Sequence, residues 1–311
     1  MRNGGIVHSE DTTALQPRSL VDAHHHLLNL QAIEYPWIQR RVPALERLLN
    51  NYYDISRDYD VAAYRVDVTD APVVGSVASE FGAADPLAEA EWVQRCADGH
   101  GLPSAFIAAA DLTAPTLVDL LARYRDLPVV RAVRQPLYWA ADPLRRLGSR
   151  PDYLSDPTWL RGFERVAAVG LVWDLLLYDE QLPLAHELLR SFPDTPIVLE
   201  AIGWPLDQGH EGFKRWRERL EAISQYPNLT LKFQGLALLF APSTERLRPW
   251  VRTAVDIFGP ARCMFASHFP VDRLLWSFRD LLSCANAIVS DLSTDDRASF
   301  FSGCASRVYR L

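Results

Sequence analysis

Leu171-Val-Trp-Asp-Leu-Leu-Leu177, Leu182–Ser191, Pro196-Ile-Val-Leu-Glu200, Gly209–Ser224 and Leu229-Thr-Leu-Lys-Phe233 follow one another without a break. The first, third and fifth are short apolar runs of the kind buried strands show. The second and fourth carry helical spacing, the fourth as a charged amphipathic face. Strands separated by helices are parallel neighbours, because a parallel pair needs a long crossover. The pattern extends both ways. Toward the C-terminus it predicts a helix over Thr244–Phe258, a strand over Arg262–Ser267, and helices near Phe278–Ser290 and Asp295–Val308. Toward the N-terminus it predicts helices over Asp156–Val169, Pro115–Tyr124 and Asp85–Ala97, with strands over Pro128–Gln135 and Ser104–Ala110. Val61–Val68 alternates like a further strand, Val42–Asn51 reads as a short amphipathic segment, and Glu34–Trp37 as a loop. Ser19–Leu30 opens the series as the first strand.

Strand and helix thus alternate eight times in a chain of 311 residues, with no shift in composition along the way. That count predicts an α/β fold, a single-domain (β/α)8 TIM barrel over residues 19–311 after a polar tail at 1–18. A doubly wound open sheet is disfavoured, since no Gly-rich phosphate loop follows an early strand. The composition, 49% hydrophobic and 23% charged, supplies a large core. A net charge of −7 without a basic block argues against nucleic acid and anionic membranes as partners. No apolar run approaches the ~20 residues of a membrane span, and the tail has no apolar h-region. Cys96, Cys263, Cys284 and Cys304 lack zinc-knot or redox spacing, so a cytoplasmic chain with reduced thiols is expected, a homodimer being compatible with it.

In such a barrel the chemistry gathers where strands end. The first strand carries Asp22, His24 and His26 at alternate positions, which places all three on one face, with His25 pointing out of the mouth. Two imidazoles with a carboxylate suit a divalent metal or a polarised carbonyl. Further ionisable groups fall inside or just after strands: Asp70, Asp111, Arg134, Asp174, Asp179, Glu200, Lys232 and His268. A charge kept inside a barrel is paired or working. An Asp174–Lys232 ion pair and helix-capping roles for Asp70 and Asp111 are the bland alternatives. His8, His100 and His186 read as structural, while His210 lies in a loop above the sixth strand.

With those residues in view, the chain resembles the amidohydrolase superfamily, in its branch of L-fuconolactonase-like and 2-pyrone-4,6-dicarboxylate lactonase-like hydrolases. The resemblance rests on Val21-Asp-Ala-His-His-His-Leu27 with Tyr35-Pro-Trp37, on Arg134-Gln-Pro136, on Phe192–Leu199, on Leu231-Lys-Phe-Gln-Gly-Leu236, on Phe265-Ala-Ser-His-Phe-Pro-Val-Asp272 and on Ala305–Leu311. It implies hydrolysis of a lactone, ester or amide, with His24 and His26 binding a metal or the substrate carbonyl. It also implies Arg134 as anchor for a substrate carboxylate.

Two positions depart from the family. Glu200-Ala201 stands where a strand 6 histidine is usual, and His268 where strand 8 has Asp or Asn. The rearranged ligand set would be His24, His26 and His268, for one divalent ion, zinc by preference. Alternatively no metal is present and His268, Glu200 or Asp272 takes a proton from water. The expected reaction is water opening a lactone-like ring of a small carboxylated or hydroxylated substrate, with Tyr138, Trp139 and Trp204 walling the pocket. A non-oxidative decarboxylase, lyase or isomerase on the same barrel, or a barrel that only binds its ligand, are the competing expectations.

Overall fold

Every run read as a strand, save Val61–Val68, forms one in a computed structural model that describes residues 16–40 and 52–311. The strands are β1 Leu20–His25, β2 Val73–Ser79, β3 Ala105–Ala109, β4 Val130–Pro136, β5 Val172–Leu176, β6 Ile197–Leu199, β7 Leu229–Lys232 and β8 Cys263–Met264. They pair in sequence order, each pair parallel. The ring closes through the chain after β8. Ala23 donates its N–H to the Phe265 carbonyl at 3.1 Å, and the His268 N–H reaches the His24 carbonyl at 2.7 Å. Helices between the strands make this a (β/α)8 barrel. Among the described residues no helix is long and apolar enough to cross a membrane.

The barrel is a packed core. Val21, Ala23, Val77, Ile107, Val172, Val198 and Met264 fill its interior together with Ala305, Val308 and Tyr309 of the last helix. That helix, Cys304–Tyr309, therefore closes the end at which the strands begin. A larger apolar cluster lies between the strands and the helices around them.

Val61–Asp67 is a helix. Asp60 caps it by accepting from the Ala63 N–H at 2.9 Å, and burial follows a step of three, with Val61 and Tyr64 inside and Val66 73% exposed. The alternation in sequence suggested a strand only because it ignored that spacing. The real β2 was hidden because Gly75, Ser76 and Ser79 dilute its apolar signal. A side chain there would also be crowded, as an added Cβ would lie 3.1 Å from Ser104 Oγ. Asp70 consequently precedes β2, in an exposed turn paired with Arg279. Pro36–Gln39 is a helical turn rather than loop. The expected segment Val42–Asn51 lies outside the described residues.

Asp22 does not share a face with His24. Asp22 pairs with Ser76 and His25 with Ala78, so three steps on β1 match two on β2. Val21 and Ala23 face the barrel interior, so Asp22 between them points outward, and the bulge after it brings His24 back toward the mouth. Asp22 accepts from the N–H groups of Ser267 at 2.8 Å and His24 at 3.3 Å, and from the hydroxyls of Ser267 at 2.6 Å and Tyr64 at 3.0 Å. One carboxylate thus ties β1 to the segment after β8 and to the helix outside. Burial pushes its pKa up to about 6, against the pull of the Ser267 bonds. Asp22→Asn replaces an acceptor oxygen by a donor facing other donors. It is expected to destabilise the fold by roughly 2–4 kcal/mol, read as a lower urea midpoint at neutral pH.

Candidate active site

The bulge leaves His24 and His26 projecting together beyond β1. Both are buried, and their Nε2 atoms lie 3.3 Å apart. The His26 Nδ1 atom is 2.9 Å from the Ser79 carbonyl, which only accepts, so Nδ1 carries the hydrogen and Nε2 the lone pair. The His24 Nδ1 atom has no hydrogen-bond partner and lies 3.7 Å from Glu200 Oε1, whose charge favours a hydrogen on that nitrogen. Two Nε2 lone pairs then face each other. Burial holds the pKa of both imidazoles well below the usual range, with Lys232 adding to the effect at His24 and His268 at His26.

His268 approaches from the chain after β8, its ring 5.5 Å from that of His24 and 5.3 Å from that of His26. Its Nδ1 atom is 3.0 Å from Asp272 Oδ1, which leaves Nε2 for the shared space. Burial pushes the Asp272 pKa up, partly offset by that bond. The backbone of His268 is left-handed, at φ 59°. Such a conformation costs about 1–2 kcal/mol in a residue with a Cβ and is concentrated at working sites. Gly235 makes room for the ring, since a Cβ there would lie 3.2 Å from His268 Nδ1 and 3.5 Å from Trp204.

Below the histidines lies a charged floor. Arg134 is 8% exposed and donates Nε to Glu80 at 2.6 Å, Nη2 to the Glu80 carbonyl at 2.8 Å and Nη1 to both Glu200 oxygens. Lys232 is fully buried against Asp174, with Glu200 Oε1 at 3.7 Å. Burial would raise the Glu200 pKa, but Arg134 and Lys232 outweigh it and hold the carboxyl below its usual range. Gln234 completes the bracket, donating to Glu200 at 2.6 Å and accepting from the Ala201 N–H at 2.9 Å. Ala201, Ile202 and Trp204 all have positive φ, so the chain after β6 turns sharply and brings Trp204 to the mouth. Trp204 meets Tyr138 at 5.9 Å, and Phe81 packs on His26 at 4.2 Å.

The structure therefore gathers His24, His26, His268, Glu200, Asp272 and Arg134, with Tyr138 and Trp204 alongside. Trp139 instead lies beneath the Arg146 guanidinium at 4.3 Å. His25 does not face the mouth; it is buried, stacked on Tyr64 at 4.1 Å and bonded to Ser76 at 3.0 Å. The extra residue in β1 sends it to the outer face. His210 is exposed at a helix start, Asp111 holds the Thr113 N–H in a local turn, and Asp179 pairs with Arg219. Reading the sequence missed Glu80 and Gln234. Glu80 follows the strand that was misplaced, whereas Gln234 stands two residues beyond Lys232 and was open to notice.

The donor set suits one divalent cation. Two nitrogens bound tetrahedrally to one zinc ion lie roughly 3.3–3.4 Å apart, the spacing His24 and His26 already have. Ligand atoms of His24, His26 and His268 all lie within 4.8 Å of one another. Each imidazole also has a carbonyl or carboxylate near its other nitrogen, the arrangement that fixes metal-binding histidines.

The family model described as Amidohydrolase matches residues 21–311; the chain belongs to that family and is an enzyme of the hydrolase type. It is 31% identical over 296 residues to an uncharacterized protein, y4mH, of Sinorhizobium fredii, covering 94% of this chain and 99% of that one. It is 26% identical to an L-fucono-1,5-lactonase of Burkholderia multivorans over 94% of this chain and 96% of that one. A crystal structure of a Burkholderia multivorans amidohydrolase with bound zinc superposes with a TM-score of 0.79 at 26% identity, covering 94% of this chain and 99% of that one.

Behind Glu80, Glu89 is buried and accepts from the Phe81 N–H at 3.0 Å. Burial, with the Glu80 charge beside it, pushes its pKa up from 4.5 to about 8. Across that window the folded chain binds a proton that the unfolded chain releases, so this group's contribution to stability falls as pH rises. Glu89→Gln has no such ionisation. Its melting temperature relative to wild type is expected to climb between about pH 5 and about pH 8; a flat difference would contradict the shift.

Proposed function

We propose that this amidohydrolase opens the ring of a small, neutral, hydroxylated lactone, with one divalent ion, zinc by preference, held by His24, His26 and His268. The observation that carries the reading is the convergence of the His24 and His26 Nε2 atoms, 3.3 Å apart, with the His268 ring beside both. A divalent ion held there by His24, His26 and His268 would supply Lewis-acid polarisation of a carbonyl and a more acidic water. The chain's own groups prepare that chemistry. The Ser79 carbonyl holds a hydrogen on the outer nitrogen of His26, and the Glu200 carboxylate, 3.7 Å from His24 Nδ1, favours one there, which would leave both Nε2 atoms free for the ion. Asp272 does the same for His268. Phe81, Tyr138 and Trp204 wall the mouth.

Arg134 and Glu200 take roles other than anchor and base in this reading. The guanidinium is already neutralised by Glu80 and Glu200, and Glu200 is held between two cations, which makes it a weak proton acceptor. The arginines of the loop after β4 are likewise engaged, Arg146 with the Ala140 and Ala141 carbonyls and Arg150 with Asp152 and Asp156. Among the described residues, Arg134 is thus offset by two carboxylates, while Tyr138 and Trp204 give the mouth aromatic surface. This favours a hydroxylated lactone over a carboxylated one, and the lactonase name of the Burkholderia relative supports the same class.

A second reading is favoured by the His268–Asp272 pair itself. A buried carboxylate on Nδ1 makes Nε2 a proton acceptor, so His268 would take the proton from the attacking water while His24 and His26 hold the carbonyl directly. Metal removal separates the two. Chelation followed by gel filtration is expected to abolish hydrolysis of L-fucono-1,5-lactone, with recovery on adding zinc; full activity of the metal-free protein would leave only the second reading. In either case His24→Ala with His26→Ala is expected to lower kcat/KM by about a hundredfold to a thousandfold. Release of carbon dioxide from a carboxylated substrate, with no lactone turned over, would make the enzyme a lyase instead.

A further inference from the structure

The ligand atoms of His24, Asp174 and Glu200 also lie within 4.8 Å of one another, so their spacing alone describes a second cation position beneath the histidines. A charged group already stands there. The Lys232 ammonium touches Asp174, lies 3.0 Å from the Tyr309 hydroxyl and 3.7 Å from Glu200 Oε1. All four side chains are buried. The Tyr309 hydroxyl in turn bonds both Asp174 oxygens, at 2.9 and 3.0 Å.

We propose that the Lys232 ammonium is the resident cation of this inner carboxylate position, where it excludes a second divalent ion and holds Glu200 against His24. Glu200 is already paired with Arg134, whereas buried Asp174 has Lys232 as its positive partner, and leaving a carboxylate unpaired inside a protein is strongly unfavourable. A tethered ammonium meets that need without the loss of translational freedom that binding an ion from solution entails. A divalent ion entering the same space would face the ammonium within a few ångströms, where like charges repel strongly. Tyr309 joins the terminal helix to this arrangement, so the segment that closes the bottom of the barrel also steadies the groups beneath the active site. Lys232 and Tyr309 are positioning residues on this account, acting through Asp174 and Glu200.

The inference rests on the histidine-cluster reading only for the total metal count of the wild type. Zinc binding is measured by calorimetry and by metal analysis after gel filtration, on the wild type and on Lys232→Ala. The wild type is expected to retain one equivalent and the variant two. Methylammonium chloride, which replaces the missing ammonium, is expected to return the variant to one. A folded variant with the same count as the wild type would overturn the proposal. Should the alanine variant not fold, Lys232→Met serves in its place, neutral and similar in length. Zinc found between Asp174 and Glu200 in soaked wild-type crystals would overturn the proposal with no variant at all. A wild type that binds none while the variant binds one removes the histidine-cluster reading and leaves this one standing.

Discussion

Glu200 is held from two sides, by the Arg134 guanidinium and by the Lys232 ammonium, in the middle of a barrel that excludes water. The rest of the site follows from that. An ionised carboxylate at this depth needs both cations, and Arg134 in turn brings Glu80, while Lys232 brings Asp174. Strands β2, β4, β5, β6 and β7 are thereby coupled through side chains at one level of the barrel. Once fixed, Glu200 stands 3.7 Å from His24 Nδ1 and its charge favours a hydrogen on that nitrogen. The chemistry at the mouth is organised by charges one layer below it.

The histidines supply the other half. His26 is oriented by a backbone carbonyl, His24 by a carboxylate and His268 by a carboxylate on its own turn. Each of these partners lies on a different segment, which makes the cluster a product of barrel closure rather than of a local motif. The left-handed backbone at His268 and the run of positive φ after Glu200 show where the chain departs from relaxed geometry to reach it. Asp22, fastening β1 to the segment after β8, holds the two histidine-bearing stretches in register.

Much of this was legible in the sequence because it depends on period and order. The alternation of apolar runs with helical spacing defined the barrel, and charged residues inside those runs pointed to the mouth and the floor. What escaped the sequence depends on a single inserted step or on a weak apolar signal. The bulge in β1 takes Asp22 off the face that His24 and His26 share, and nothing in Asp22-Ala-His-His-His26 announces it. Gly75 and the serines of β2 disguised a strand, and with it Glu80 at its end. The pairing of Arg134 with two carboxylates, rather than with a ligand, is a matter of three-dimensional neighbours.

Anomalous diffraction at the zinc edge, from crystals grown with zinc, tests the central claim most directly. The account predicts one strong peak per chain within bonding distance of the Nε2 atoms of His24, His26 and His268. A site free of zinc at saturating concentration, or a peak bound elsewhere with the three imidazoles unengaged, would contradict it.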